Sequence, residues 1–428
     1  MCSRPASKAR CGDAVRRLAA AAVLPLAALG GAPAAAADWL AHVRSTDSAI
    51  FQHNLDDRLA SLQQRAGAGA LPEAEARELA RLLYLRGQLL NDVGAMEQAL
   101  AVLRPLPASA AVSTQRASIQ LSLHRFDDAA AELAQHGARD AGREAAVLQA
   151  ELWWNRGRTR EAWQLLEQVL ADSRNPLLYA RKAGWLIAQG RLAAAQQQLD
   201  LARSHLTDPH PVPAVWLYLG QARLLSAQGR HDEAYAVLLS AQRRLPRHVP
   251  LLEALAAAER RNGLQQQAIE RLRLAIALSP DPHLPMQLAR LLPPAQRAPW
   301  LAEAERRFAQ MARDYAPVYA AEAAAYYLEQ ARHAQAAQAL SLLPPAARGL
   351  HDWVLAAAVE AAGGRRQQAL DALRAARASG QFARAPYCRA AALYAALDAP
   401  AESAALAETV THQSGRPCPA NPDLEEEA

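Results

Sequence analysis

The sequence is poor in the residues that build large β-sheets and disulfide-rich folds. Only 5% of its 428 residues are aromatic, four are cysteine, and two, Lys8 and Lys182, are lysine. Scarce aromatic and β-branched residues disfavour an extensive sheet. The abundant residues are Ala, Leu, Arg, Gln and Glu, which are strong helix formers. With 51% hydrophobic residues, the chain has enough apolar area for a folded core, which excludes a disordered polymer.

The positive charge of the chain is concentrated at its amino terminus. The formal net charge is +5, and residues 1–37 contain five basic residues and one acidic residue. The remaining chain is therefore close to neutral. Because non-specific nucleic-acid binding requires a clustered excess of cations, we expect no nucleic-acid partner.

Residues 1–37 have the pattern of an export signal. Arg16 and Arg17 precede a short apolar stretch at 18–29, and a run of Ala ends at Ala37. A basic region, a short apolar region and a small-residue cleavage site together form a secretory signal. This predicts Sec-dependent export, cleavage after Ala37, and a periplasmic or secreted mature protein with no transmembrane segment. Retention of the stretch as an anchor stays open, although a spanning helix needs about 20 residues.

Two of the four cysteines remain after this cleavage. Cys388 and Cys418 form an even pair, which in an oxidising compartment predicts a disulfide that pins the tail to the last helices. Their spacing does not match a CxxC-type metal site, so no metal is predicted. Two free thiols is the alternative if the protein is not exported.

A period of 33–34 residues runs through the chain. One set of five residues comprises Gly229, Ala234, Leu238, Ala241 and Pro246, and it recurs as Gly263, Ala268, Leu272, Ala275 and Pro280. Looser copies begin at Gly94, His124, Gly157, Gly190, Ala331 and Gly364. A Gly that ends one helix, followed by a small and then a large residue on one face of the next, predicts a helix–turn–helix unit.

This register resembles the tetratricopeptide repeat family, which includes exported bacterial members. The resemblance covers roughly residues 72–410 and implies an all-α fold, a right-handed α-solenoid of stacked antiparallel helix pairs. A generic Ala-rich helical bundle is the alternative, but such bundles lack a fixed period.

The resemblance and the composition together suggest a division of the chain. The segments are the signal at 1–37, capping helices at 38–71 with Asp47 or Ser48 as helix cap, a repeat array at 72–280, an irregular segment or hinge at 281–317, the C-terminal part of the array at 318–410, and a partly disordered tail at 411–428.

Sequence signatures of catalysis are absent. The chain contains no G-x-x-x-x-G-K-[ST], H-E-x-x-H or G-x-S-x-G motif. His205, Asp208 and His210 share an inserted loop and fit either a metal site or a solvated turn, and the neighbouring prolines favour the turn. The chain is therefore predicted to be non-enzymatic and to need no cofactor.

In the family, certain positions of the first helix of each pair line a concave groove. Carried onto this sequence, the groove residues are Asn91, Asp92, Glu151, Trp154, Asn155, Arg181, Trp216, Arg223, Arg260 and Arg261. The arginines are suited to carboxylates of a bound segment. The alternative is a solvated face.

The leading hypothesis is a non-catalytic periplasmic scaffold that binds envelope proteins or peptides through this groove, with the partner's identity unknown. The second hypothesis is an accessory protein for polysaccharide export or binding. In that case Trp153, Trp154 and Trp216 would stack on sugars, unless Trp153 and Trp154 divide between the core and a helix face.

Overall fold

The computed structural model describes residues 43, 45–135, 142–207, 210–316 and 318–419. The predicted signal at 1–37 lies outside these residues. The described part forms the following α-helices: α1 Ser48–Ala68, α2 Glu73–Leu90, α3 Val93–Leu103, α4 Ala110–Ser122, α5 Phe126–Ala134, α6 Gly142–Asn155, α7 Thr159–Leu170, α8 Pro176–Ala188, α9 Leu192–His205, α10 Pro211–Ala227, α11 His231–Arg244, α12 Val249–Arg261, α13 Gln265–Leu278, α14 His283–Leu291, α15 Pro294–Asp314, α16 Ala320–Glu329, α17 His333–Ser341, α18 Leu350–Ala362, α19 Arg366–Ala378, α20 Arg384–Ala396 and α21 Pro400–Ser414.

From α2 onwards, consecutive helices pack as antiparallel pairs, and each pair stacks on the next. The first pair is α2/α3 and the tenth is α20/α21. Neighbouring pairs meet through their first helices, as α8 does with α10 and α18 does with α20. The all-α class and the tetratricopeptide-like α-solenoid of stacked helix pairs are thereby confirmed.

The turn inside most pairs contains one residue in the left-handed conformation. In five pairs this residue is a glycine with φ between 73° and 78°: Gly157, Gly190, Gly229, Gly263 and Gly364. His124, Ala331 and Asp398 occupy the same place with φ between 54° and 57°. A left-handed residue ends the first helix and reverses the chain. The number of residues between successive left-handed residues is therefore the length of the repeat.

The first pair corrects one sequence assignment. Gly94 was aligned with the turn glycines, but it lies inside α3, and Asn91 takes the left-handed conformation with φ 50°. Asn tolerates this conformation better than most residues. The repeat register therefore places Met96, and not Ala99, at the position that is Ala in most other pairs.

Gly87 on α2 accommodates this larger side chain. A Cβ atom at Gly87 would lie 2.6 Å from Cγ of Met96. In the first pair the small residue, Gly87, therefore lies on the first helix and the large one, Met96, on the second. The two helices can still approach closely.

The longer spacing between Gly190 and Gly229 lengthens α10. This helix has 17 residues, whereas α12 has 13. The extra turn packs against α1, where the rings of His210 and Phe51 lie edge to face with centroids 4.8 Å apart. His210 also caps α10 by accepting a hydrogen bond from Val212 N, so it serves a structural role in this contact.

The predicted capping segment and the predicted irregular segment are both helical. The described part of 38–71 contains one helix, α1, whose cap is Asp47, and no helix pair. The described part of 281–317 forms the pair α14/α15, but its turn at Leu292 and Pro293 is extended and has no left-handed residue. The Gly-Ala signature is missing from 281–317 because the turn has a different conformation. The helix pair itself is present.

Successive turns of the coil contact each other. Helix α2 of the first pair contacts α12 of the sixth. Gly157 of the third pair lies against the carbonyl oxygen of Ser379, after the ninth pair. Gly190 of the fourth pair approaches Ser414 of the tenth. The coil therefore returns onto itself after five or six pairs.

Candidate functional site

Asn91 joins the first pair to the sixth. Its side-chain amide donates to Oε2 of Glu253 at 2.9 Å and to Oδ2 of Asp281 at 3.3 Å. Gln287 donates to the other oxygen of Glu253 at 3.1 Å. Asp92 caps α3 by accepting from Ala95 N at 3.1 Å. Both predicted groove residues of the first turn therefore support the structure.

The carboxylates that Asn91 bridges have an unusual charge environment. Glu253 is 4% exposed and Asp281 is 8% exposed. Burial, followed by the charge of Asp281, raises the pKa of Glu253 to about 8. The amide donors Gln287 and Asn91 lower the pKa, but burial and the charge of Asp281 outweigh them, so the protonated carboxyl is favoured. This contact between turns is thus sensitive to protonation.

Two groups near this cluster are also shifted. Burial raises the pKa of Glu322 to about 8, with Asp352 and Asp281 adding to the shift. Burial and the charge of Asp281 raise the pKa of Tyr319 well above its ordinary value. Among the described residues no group of three metal-binding side chains assembles. The cluster is an interior contact between turns.

Glu151 and Arg181 form a buried ion pair between α6 and α8. Their side chains are 9% and 7% exposed. Asn155 donates its side-chain amide to the carbonyl of Glu151, and its own carbonyl oxygen accepts from Gln381 at 2.6 Å. These three predicted groove residues therefore hold the third pair to its neighbours.

The tryptophans pack on one another. Trp154 stacks on Trp185 with ring centroids 4.4 Å apart and planes 3° from parallel. Trp163 lies edge to face against both. Trp216 is 7% exposed and belongs to the core. Trp216 is therefore closed to a sugar, whereas Trp154 is half-buried and uses one face of its ring on Trp185.

The remaining candidates are arginines. Arg260 and Arg261 lie half-buried in the last turn of α12. Arg223 lies on α10 and, unlike Arg260 and Arg261, is exposed to solvent. Desolvation by neighbouring protein atoms nevertheless lowers the pKa of its guanidinium. Solvent therefore reaches Arg223, while nearby protein atoms desolvate its guanidinium enough to lower the pKa.

Arg223 is available for a ligand. Within the described residues its guanidinium has no hydrogen-bond, ion-pair or ring partner. A guanidinium offers five donors in a planar fork that matches a carboxylate, and partial removal from bulk water strengthens such a contact. Of the ten predicted groove residues, Arg223 fits the predicted role best.

Sequence reasoning missed Glu253, Asp281 and Gln381. Glu253 had a usable signal, because it interrupts the apolar face of Val249-Pro250-Leu251-Leu252 on α12. Gln381 had none, since it lies in a short loop and its partner is 226 residues away.

None of the described helices is both long and apolar enough to cross a membrane. A scan against protein-family models finds no match, and a search of curated proteins also finds none.

Solved structures that resemble the fold are helical repeat proteins. The Cut9–Hcn1 hetero-tetramer of the APC/C is 11% identical with a TM-score of 0.33, and the match covers 89% of this chain and 94% of that chain. A tetratricopeptide repeat protein from Parabacteroides merdae is 15% identical with a TM-score of 0.36, covering 56% of this chain and 94% of that chain. The human IFIT1 dimer with m7Gppp-AAAA is 16% identical with a TM-score of 0.41, covering 85% and 95%. Similarity of this size assigns no ligand, partner or residue role to this chain.

Stacked helix pairs present extended surfaces on which other proteins dock. The fold of this chain is therefore of the kind that suggests a protein-interaction scaffold.

Proposed function

We propose that this protein is a non-catalytic scaffold that binds a carboxylate-bearing segment of another protein on the inner side of its coil. The observation that carries the proposal is Arg223, a solvent-accessible guanidinium enclosed by protein and without a partner in the described part of the chain. Most of the other predicted groove residues already hold the coil together, so recognition concentrates at this position.

The location that we propose for this activity is the bacterial periplasm, with envelope proteins as partners. The export pattern at 1–37 supports it, and so does the disulfide between Cys388 and Cys418, since disulfides persist in oxidising compartments. Amino-terminal sequencing of the exported protein tests the cleavage, and the expected first residue is Asp38. A protein retained in the cytoplasm with residues 1–37 intact would contradict it.

The binding test has two steps. Cross-linking in envelope extracts first identifies the partner. Titration then measures the Kd of that partner for the unchanged protein, the Arg223→Gln variant and the Arg273→Gln variant. We expect Arg223→Gln to weaken binding by about tenfold, since a hydrogen bond to a charged group contributes about 1.5–3 kcal/mol. Arg273→Gln is the matched control, because Arg273 is an exposed arginine on the second helix of the sixth pair. A partner that binds both variants like the unchanged protein would exclude the Arg223 site.

A further inference from the structure

A small cavity lies where the first helix pair meets the junction of the fifth and sixth. Its walls come from α1 over 52–56, the end of α2 over 86–90, and the loop 245–248 between α11 and α12. The cavity volume is about 50 Å³, and one water molecule needs about 10–15 Å³ on the same measure. With its open mouth the space is about 420 Å³, which is in the range of small-molecule sites. The cavity therefore has room for one aliphatic side chain, and its mouth for the rest of a small ligand.

The inner wall of the cavity is apolar. Leu55 of α1, Leu89 of α2 and Leu245 of the loop line it and are buried, and Leu90 beside them is half-buried. Transfer of an apolar group from water to such a wall is favourable. This wall therefore suits a branched aliphatic group of a few carbon atoms.

One buried donor of the cavity wall has no partner. His248 lines the cavity and is 2% exposed, and Nδ1 of its ring accepts a hydrogen bond from Leu251 N at 3.2 Å. Burial lowers the pKa of this ring to about 3, so the ring is neutral and its one proton lies on Nε2. Nε2 is buried and has no hydrogen-bond partner in the described residues. Because an unpaired buried donor is destabilising, the site favours a ligand that brings an acceptor atom.

The outer part of the cavity is charged. Arg247 and Asp56 are exposed, and Arg86 is half-buried. In the part of the chain that the structure describes, these three side chains form no hydrogen bond or ion pair. A guanidinium fork matches a carboxylate, and the carboxylate of Asp56 can accept hydrogen bonds from an ammonium group. The mouth can therefore hold both charges of a zwitterion.

We propose that this cavity binds a free amino acid with a branched aliphatic side chain, such as leucine. The side chain fills the apolar wall, the α-carboxylate binds Arg86 and Arg247, and the α-ammonium group binds Asp56. A peptide end carries only one of these two charges, so a free amino acid uses the site more completely. The cavity does not contain Arg223, so this proposal is independent of the partner-binding proposal.

A ligand in this cavity contacts two successive turns of the coil at once. Leu90 directly precedes Asn91, whose amide donates to Glu253 of α12 at 2.9 Å. The loop that carries His248 leads directly into α12. Binding should therefore slow the local opening of α12 from α2.

The first test is calorimetric titration of the full oxidised chain with leucine and three analogues. We expect saturable binding of leucine, and binding about tenfold weaker or less for leucinamide, N-acetyl-leucine and alanine, which lack the carboxylate, the ammonium group and the branched side chain. No saturable binding of leucine would overturn the proposal, as would equal affinity for alanine. N-acetyl-leucine bound as tightly as leucine would also overturn it and would indicate the C-terminal end of a peptide instead.

The second test places the ligand in this cavity. Asp56→Asn and Arg247→Gln change exposed side chains, so both variants should fold, and each should weaken leucine binding by about tenfold. Asp57→Asn and Arg273→Gln are the matched controls, because both residues are exposed and neither lines the cavity. Leucine should also slow amide hydrogen exchange at 245–252 in the unchanged protein. Unaltered affinity in both cavity variants, or exchange at 245–252 that leucine does not slow, would overturn the assignment.

Discussion

The carbonyl oxygen of Asn155 accepts a hydrogen bond from the side-chain amide of Gln381 at 2.6 Å, although 226 residues separate them. Two residues on, the backbone of Gly157 packs directly on Ser379 and Gly380. Here the third helix pair contacts the loop that follows the ninth helix pair. Two successive turns of the coil are therefore in direct contact. Contacts of this kind make the array behave as more than a sum of neighbouring pairs.

The first prediction compares two glycines with similar backbone conformation. Gly157 and Gly263 have φ of 75° and 73°. A Cβ at Gly157 would overlap the carbonyl oxygen of Ser379, whereas a Cβ at Gly263 meets nothing within 4 Å. Both Gly→Ala changes incur about 1–2 kcal/mol of left-handed strain. Gly157→Ala should destabilise further and increase amide hydrogen exchange at 379–381. Equal unfolding free energies for the two variants would contradict the contact between turns.

The second prediction concerns the exchanged small and large residues of the first pair. Gly87→Ala should destabilise the chain by about 1–3 kcal/mol, because its methyl group collides with Met96. Met96→Ala, made in the Gly87→Ala background, should recover most of that loss. The measurement is a double-mutant cycle from denaturant unfolding. A purely additive cycle would show that the two side chains do not compete for one space.

The third prediction is a pH dependence. The pKa of Glu253 is about 8 in the folded chain, above its ordinary value of 4.5. The folded chain therefore binds more protons between these pH values, and the free energy of unfolding should fall as pH rises through this window. One such group contributes a slope of at most about 1.4 kcal/mol per pH unit.

Glu253→Gln should flatten this slope, because a neutral amide keeps a hydrogen-bonding group beside Asn91 and does not titrate. Glu322 has the same sign and should leave a residual slope. Unfolding free energies measured from pH 5 to pH 9 give both slopes. Exposed Glu402→Gln serves as control, and a variant slope as steep as that of the unchanged protein would contradict the assignment.

The fourth prediction concerns the disulfide. Cys388 and Cys418 are 30 residues apart, and closing a loop of that size stabilises by about 3–4 kcal/mol in the chain-entropy model. Cys418→Ser should lower the unfolding free energy and release Arg416 from Ala227, which increases hydrogen exchange at the end of α10. Arg416→Gln separates the second effect from the first. Two reactive thiols in the native exported protein would contradict the pairing.

Local patterns in the sequence were sufficient for the helix pairs. The turn residue needs a left-handed backbone, the small residue after it allows close approach, and both requirements repeat at most pairs. Gly229 and Gly263 could therefore be assigned from spacing alone. The turn residue of the first pair was assigned wrongly, because Asn91 occupies the place that is glycine in five other pairs. Gly94 lies three residues later, and counting from the next repeats selected it instead.

The candidate site was harder to predict for a physical reason. Position within a helix pair tells which residues face inward, but it does not tell which distant pair they meet. Glu151 and Arg181 are buried in an ion pair with each other, and Trp216 is buried in the core. Contacts within the array therefore occupy all three side chains. Arg223 has the same kind of position and no such contact in the described residues.

The sequence by itself determined the helix pairs, their period, and the cysteine pair, because these follow from interactions between residues at most about 34 positions apart. Only the tertiary structure decided the pitch of the coil, since small rotations between neighbouring pairs add up along the array. That accumulated rotation brings Asn91 to Glu253 and Arg416 to Ala227, and it leaves Arg223 enclosed without a partner in the described chain.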